Sequence, residues 1–114
     1  MKWLLWWLLC GAQPVLAQGL DYKLSARALA DGVYVVEGAN ADFAPANGCN
    51  IINTGFIVSG AGVLVINTGP SKLYGEQLRA LIERTTREPV MQVLHLNLQP
   101  DYFLGNQAFT DVPR

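Results

Sequence analysis

The feature that most limits how this chain can fold is a helical pattern set between two apolar runs. After Ser71, the residues Tyr74, Leu78, Leu81, Ile82 and Thr85 recur at one helix face, while Glu76, Arg79, Glu83 and Arg84 fall between them. That spacing predicts an amphipathic helix with one buried stripe, with Ser71 as its N-cap. The pattern ends near Arg87-Glu88-Pro89, where the proline cannot continue a helix. Val63-Leu64-Val65-Ile66 precedes the helix and Val90-Met91-Gln92-Val93-Leu94 follows it, both reading as strands. Two strands joined by a helical crossover lie side by side and parallel, which predicts an α/β or α+β layer.

Upstream, Asp31-Gly32 is a turn signal and Val33-Tyr34-Val35-Val36-Glu37 a strand; Asp21 to Ala30 fits no single pattern. Ala39 to Asn50, rich in Gly, Asn, Ala and Pro, reads as a loop. Ile51 to Val58 and Val63 to Ile66 flank the turn Ser59-Gly60-Ala61-Gly62 and predict a hairpin. Functional groups in such layers collect where strands end. Asn67, after the Val63 strand, and Asn97, Gln99, Asp101 and Tyr102, after the Val90 strand, are therefore expected on one rim. His95 lies two positions before Asn97 on the same alternating run. Pro100-Asp101 opens a short helical pattern, and the simpler reading of Asp101 is its N-cap rather than a metal ligand.

The start of the chain has a different character. Met1-Lys2 puts one positive charge before Trp3 to Cys10, an apolar segment well short of the roughly 20 residues of a membrane-spanning helix. With Val15-Leu16-Ala17 supplying small residues for cleavage, residues 1–17 read as a secretory signal peptide, which predicts a periplasmic or secreted protein with no membrane attachment after processing. The large Leu9 before Cys10 argues against lipid attachment. Residues 18–114 then form one small domain with a modest core. Cys49 is the one cysteine left after cleavage, so no internal disulfide is possible; an inert cysteine is the favoured reading over a reactive thiol. A net charge of −1 gives no basic footprint for nucleic acid. Phosphate-binding glycine loops, a Gly-x-Ser-x-Gly elbow and paired cysteines are all missing, and no cofactor-binding residues stand out.

Two stretches carry a family likeness. Asn97-Leu98-Gln99-Pro100-Asp101-Tyr102, followed by Gly105, resembles the His-x-His-x-Asp-His signature of the metallo-β-lactamase fold hydrolases, and Val65-Ile66-Asn67-Thr68-Gly69 resembles their strand-ending Asp-Thr-Gly. Gly48 to Val58 is similar to the family's early hairpin. Phe103-Leu104-Gly105-Asn106-Gln107-Ala108-Phe109, with the leader and the strand near Val33, looks closest to periplasmic members associated with quinoprotein dehydrogenase systems. The resemblance implies an α+β fold, the N-terminal half of an αββα sandwich with a mixed sheet and flanking helix, so residues 18–114 are expected to be a truncated domain of this type.

In the family, zinc ions deprotonate a water, lowering its pKa from near 15.7 to about 7, and the hydroxide attacks a carbonyl or phosphoryl centre. Of the motif, Asp101 and Gly105 match here. Asn97, Gln99 and Tyr102 stand where the resemblance places histidines, and Asn67 stands in place of an aspartate. Amide oxygens are weak zinc ligands, and a phenol with a reference pKa of about 10 stays protonated at neutral pH. Each replacement lies one nucleotide from the family residue. Asp101 is thus expected to be a vestigial catalytic and metal-binding residue, and the family's zinc is expected not to bind. A frame shifted to make His95 a ligand would put Asp101 and Gly105 out of register, so His95 reads as a partly buried or surface histidine. The functional expectation is an exported, catalytically impaired metallo-β-lactamase-like chain. The alternative is a non-catalytic half acting as a binding or assembly partner, through self-association or pairing with a complementary second-half chain.

Overall fold

The structure is a computed structural model and describes residues 19–113. The predicted signal peptide, with Cys10, lies outside the described residues. Among those described, no helix is long and apolar enough to cross a membrane.

Five strands form one sheet in sequence order: β1 Arg27–Ala30, β2 Val33–Val36, β3 Thr54–Val58, β4 Val63–Ile66 and β5 Val90–Leu94. The first three pairings are antiparallel and β4 with β5 is parallel. The parallel pair is the one the helical crossover predicts, because α1, Lys72–Thr85, carries the chain back to the end of the sheet at which β4 begins. Ser71 caps α1 as expected, its Oγ accepting from the Tyr74 N–H at 3.0 Å. Thr86, rather than the Arg87-Pro89 segment, closes the helix by donating its N–H to the Ile82 carbonyl.

Strand alternation sends Val36, Phe56, Val63, Val65 and Val93 to one face, where Tyr74, Leu78, Leu81 and Ile82 of α1 meet them in a single core. Ala108, Phe109 and Val112 seal the same face. Opposite it, Ile57, Leu64 and Ile66 stay partly open and Leu94 is 46% exposed, so the sheet is covered on one side by the described elements.

Four local readings are corrected or refined. Arg27–Ala30, part of the stretch that fits no single pattern, is a strand whose residues are all exposed. Such a strand carries no alternation to be read and is held by its ladder to β2, with Arg27 opposite Val35. Ile51 and Ile52 lie outside β3, which starts at Thr54, because the chain is still turning there: the Ile51 N–H donates to the Cys49 carbonyl. The predicted loop of residues 39–50 contains a single 3₁₀ turn, Pro45–Asn47. Finally, Asp101 is not a helix cap. Pro100 takes the first position of α2, Pro100–Phe103, which moves the cap back to Gln99 and puts Asp101 in the first turn, buried.

Candidate metal-site rim

The chain leaves β4 through Asn67-Thr68-Gly69, all three buried. Asn67 has left-handed backbone geometry with φ 59, a conformation asparagine tolerates better than most residues. Its backbone N–H donates to the Leu94 carbonyl at 2.8 Å and so extends the β4–β5 ladder by one step. Its side chain then spans two neighbours. Nδ2 donates to the Asn53 carbonyl at 3.3 Å, and Oδ1 accepts from the Leu96 N–H at 3.0 Å. The amide ties the segment before β3 to the segment after β5, with donor and acceptor ends both committed.

The loop after β4 is also stitched to α2 and to the 3₁₀ turn Leu104–Ala108 that follows it. The Thr68 N–H donates to the Tyr102 carbonyl at 2.9 Å, the Gly105 N–H to the Gly69 carbonyl at 3.0 Å, and the Thr68 hydroxyl to Asn106 Oδ1 at 2.9 Å. Contact is close enough that glycine is required at Gly105: a Cβ there would lie 1.9 Å from the Thr68 carbonyl oxygen. The glycine serves backbone packing, which the rim still needs.

The residues expected on the rim divide by environment. Asn97 and Gln99 are exposed, Tyr102 is half-buried and Asp101 is buried. Asn97 Oδ1 accepts from the Gln99 N–H at 2.6 Å, a local turn that leads the chain into α2. The Gln99 carbonyl in turn accepts from the Tyr102 N–H at 2.9 Å. His95 is partly buried and meets the Phe103 ring edge-on, centroids 6.5 Å apart; its two ring nitrogens are buried without a hydrogen-bond partner. Cys49 is half-buried, with left-handed backbone geometry at φ 62. A hollow of about 400 Å³ is lined by Glu37, Gly38, Asn40, Ile51 and Asn53.

As a zinc site this donor set does not fit. No group of three or more His, Cys, Asp or Glu able to hold a metal ion occurs among the described residues. The Asn67 amide is engaged at both ends, Asn97 gives its oxygen to the backbone, and one buried carboxylate supplies neither the number nor the softness of ligand that zinc takes. What the arrangement does is hold two strand ends and a helix in fixed relation. The clamp formed by Asn67 is the part that residue-type reasoning missed, since it set Asn67 only in place of an aspartate on the rim. The one available signal was an asparagine directly after an apolar strand and before Thr-Gly, where a left-handed residue suits the turn.

No protein-family model and no curated protein matches the chain. Solved structures do match. A metallo-β-lactamase from Hirschia baltica aligns at 19% identity with a TM-score of 0.62, covering 77% of this chain and 39% of its own. One from Erythrobacter litoralis aligns at 19% identity and TM-score 0.61, covering 82% and 40%. A further Erythrobacter litoralis metallo-β-lactamase, solved in a mono-zinc form, aligns at 21% identity and TM-score 0.60, covering 82% and 43%. The fold is thus a partial metallo-β-lactamase fold of α+β class, and the chain spans about two fifths of the length of these structures.

Proposed function

We propose that this chain is an exported, catalytically impaired relative of the metallo-β-lactamase fold hydrolases, in the line of the quinoprotein-associated periplasmic members. The observation that carries the reading is the Asn67 amide, held between the Asn53 carbonyl and the Leu96 N–H, where the resemblance places an aspartate. Its donor end makes a hydrogen bond that an ionised carboxylate could not make. The rim has become a structural joint, with Asp101 as the remaining ligand-type residue of the motif. Export rests on residues 1–17, and the quinoprotein association on the Phe103 to Phe109 stretch.

Zinc content of the purified, exported chain is the direct test. After dialysis against zinc-free buffer, elemental analysis is expected to give far less than one zinc per chain, and added zinc should leave the melting temperature unchanged. Near-stoichiometric zinc retained through dialysis would overturn the reading. A second reading, a non-catalytic half that works by association with another chain, is favoured by the open face of the sheet.

A further inference from the structure

Two consecutive residues ahead of β3 hold left-handed backbone geometry. Gly48 has φ 57 and ψ 28, and Cys49 has φ 62. The Asn50 N–H donates to the Asn47 carbonyl at 3.0 Å across them, which makes residues 47–50 a type I′ turn. Glycine suits the first central position of that turn, whereas a cysteine at the second is strained. A half-rotation of the peptide between the two converts type I′ to type II′, which keeps positive φ at the glycine and returns the next residue to negative φ. Glycine followed by an L-residue is the type II′ preference, so the local sequence favours the turn that the structure does not adopt.

A pin at each end of that peptide holds the strained form. Its carbonyl, on Gly48, accepts from the Tyr22 hydroxyl at 2.9 Å, and its N–H, on Cys49, donates to Asn47 Oδ1 at 2.9 Å. The rotation breaks both. Tyr22 spends its one proton on Gly48, so Ser71 is the donor in the 3.0 Å contact between the two hydroxyls, while Ser71 Oγ accepts from the Tyr74 N–H. The result is a directed chain of hydrogen bonds between the cap of α1 and the turn. Tyr22 is delivered by a strap, Leu20 to Tyr22, whose backbone the Gln77 side chain holds to α1: Oε1 accepts from the Tyr22 N–H at 2.8 Å and Nε2 donates to the Leu20 carbonyl at 2.7 Å. The strap lies directly on the turn, since a Cβ at Gly48 would come within 2.3 Å of Leu20 and 2.7 Å of Tyr22.

We infer that the peptide between Gly48 and Cys49 is a two-state switch, held in its strained type I′ form while the strap is docked and turning to type II′ when the Tyr22 hydroxyl is withdrawn. With the strap docked, the hydrogen bond from Tyr22 offsets the strain at Cys49; without it, rotation relieves that strain. The switch lies outside the rim and operates whether or not zinc binds there.

The test is NMR spectroscopy and urea unfolding on the full chain and on Tyr22→Phe, which removes the hydroxyl and keeps the ring. In the type I′ turn the Gly48 and Cys49 amide protons lie close together, and the Cys49 amide proton lies close to its own Hα. Both pairs are expected to give strong nuclear Overhauser effects in the wild type and weak ones in Tyr22→Phe, where the peptide has rotated. Gln77→Ala, which undocks the strap without touching the turn, should weaken the same two effects and serves in its place if Tyr22→Phe fails to fold. Stability supplies the second readout. In the wild type, Cys49→Gly is expected to shift the folding equilibrium toward the native state by about two- to fivefold, because glycine accepts positive φ. In the Tyr22→Phe background the same change should shift it by a similar factor in the opposite direction, since at negative φ glycine adds only its entropy cost. Wild-type Overhauser effects retained in the variant would overturn the switch. So would weak effects in the wild type, or a Cys49→Gly gain of the same size in both backgrounds.

Discussion

The hydroxyls of Thr54 and Tyr74 meet at 2.8 Å inside the core, joining the first residue of β3 to the first turn of α1. Both residues are buried, so each oxygen depends on the other for satisfaction. Thr54→Val keeps the shape and orphans the Tyr74 hydroxyl, at an expected cost of about 1–3 kcal/mol; Tyr74→Phe orphans Thr54 at a similar cost. The double variant should lose less than the sum of the two, because neither oxygen is then left buried alone. Urea unfolding of the four proteins measures the coupling, and simple additivity would mean the hydroxyls do not depend on each other.

Burial also pushes the Tyr74 phenol up from 10.0 to about 12, opposed in part by the Thr54 hydrogen bond and aided by nearby Tyr22. A folded-state value above the unfolded one stabilises the fold fully below pH 10 and ceases to do so as pH rises through about 12. With a gap of about two pH units, the loss across that window is about 3 kcal/mol at most. The wild-type chain should therefore lose stability between pH 10 and 12 more steeply than Tyr74→Phe. Parallel curves for the two proteins would contradict the assignment.

Arg79 makes the corresponding joint at the surface. Its two terminal nitrogens donate to Asp111 Oδ1 and Oδ2 at 2.6 and 2.7 Å, one of them also to the Ala108 carbonyl at 2.8 Å, and the guanidinium lies 5.3 Å over the Phe109 ring. The hydrogen bonds from Arg79 hold the Asp111 carboxyl down at about 2 from 3.8. A depressed folded-state value contributes stability above pH 4 that is lost as pH falls through about 2. Asp111→Asn should flatten the acid limb of the stability curve between pH 4 and 2. Because Asp111 is exposed, the difference should be small and shrink further in 1 M salt. A salt-insensitive difference would point to packing instead.

The contrast between what the residues announced and what they concealed follows from how far each signal travels. The Tyr74 to Thr85 stripe and the Val90 run announce themselves, because buried faces repeat at the period of their own element. Arg27–Ala30 is exposed throughout and owes its extended form to β2, so its own residues carry no pattern. Asp101 was misplaced by one step because Pro100 occupies the first helical position, which shifts the cap to Gln99. The order of strands and helix placed Asn67 after β4 and Asn97 to Tyr102 after β5. It could not reveal the Asn67 clamp, whose partners Asn53 and Leu96 are 14 and 29 residues away.

That clamp makes a prediction for an aspartate at position 67. Asn67→Asp introduces the aspartate that the resemblance places there, yet it removes the donor to the Asn53 carbonyl and sets a negative oxygen beside it. Position 67 is 2% exposed, so water cannot easily compensate. The variant should unfold at lower urea, with a loss of about 1–3 kcal/mol and no gain in zinc uptake. Unchanged stability would mean the Nδ2 contact contributes little; stability rising with added zinc would mean the rim still binds metal.

His95 offers the reverse case, a residue whose removal should help. Both ring nitrogens are buried without a partner, against the edge of Phe103, two positions from Val93 on the core side of the sheet. A buried donor and a buried acceptor left unmade each cost free energy that an apolar side chain does not incur. Leucine fills much of the same volume and leaves nothing unsatisfied, so His95→Leu should stabilise the chain by about 1–2 kcal/mol, read as a higher urea midpoint at unchanged slope. If His95 is no ligand, zinc content should be the same in variant and wild type. A destabilised variant that also lost bound zinc would return His95 to the metal site and undo the assignment of the rim as a structural joint.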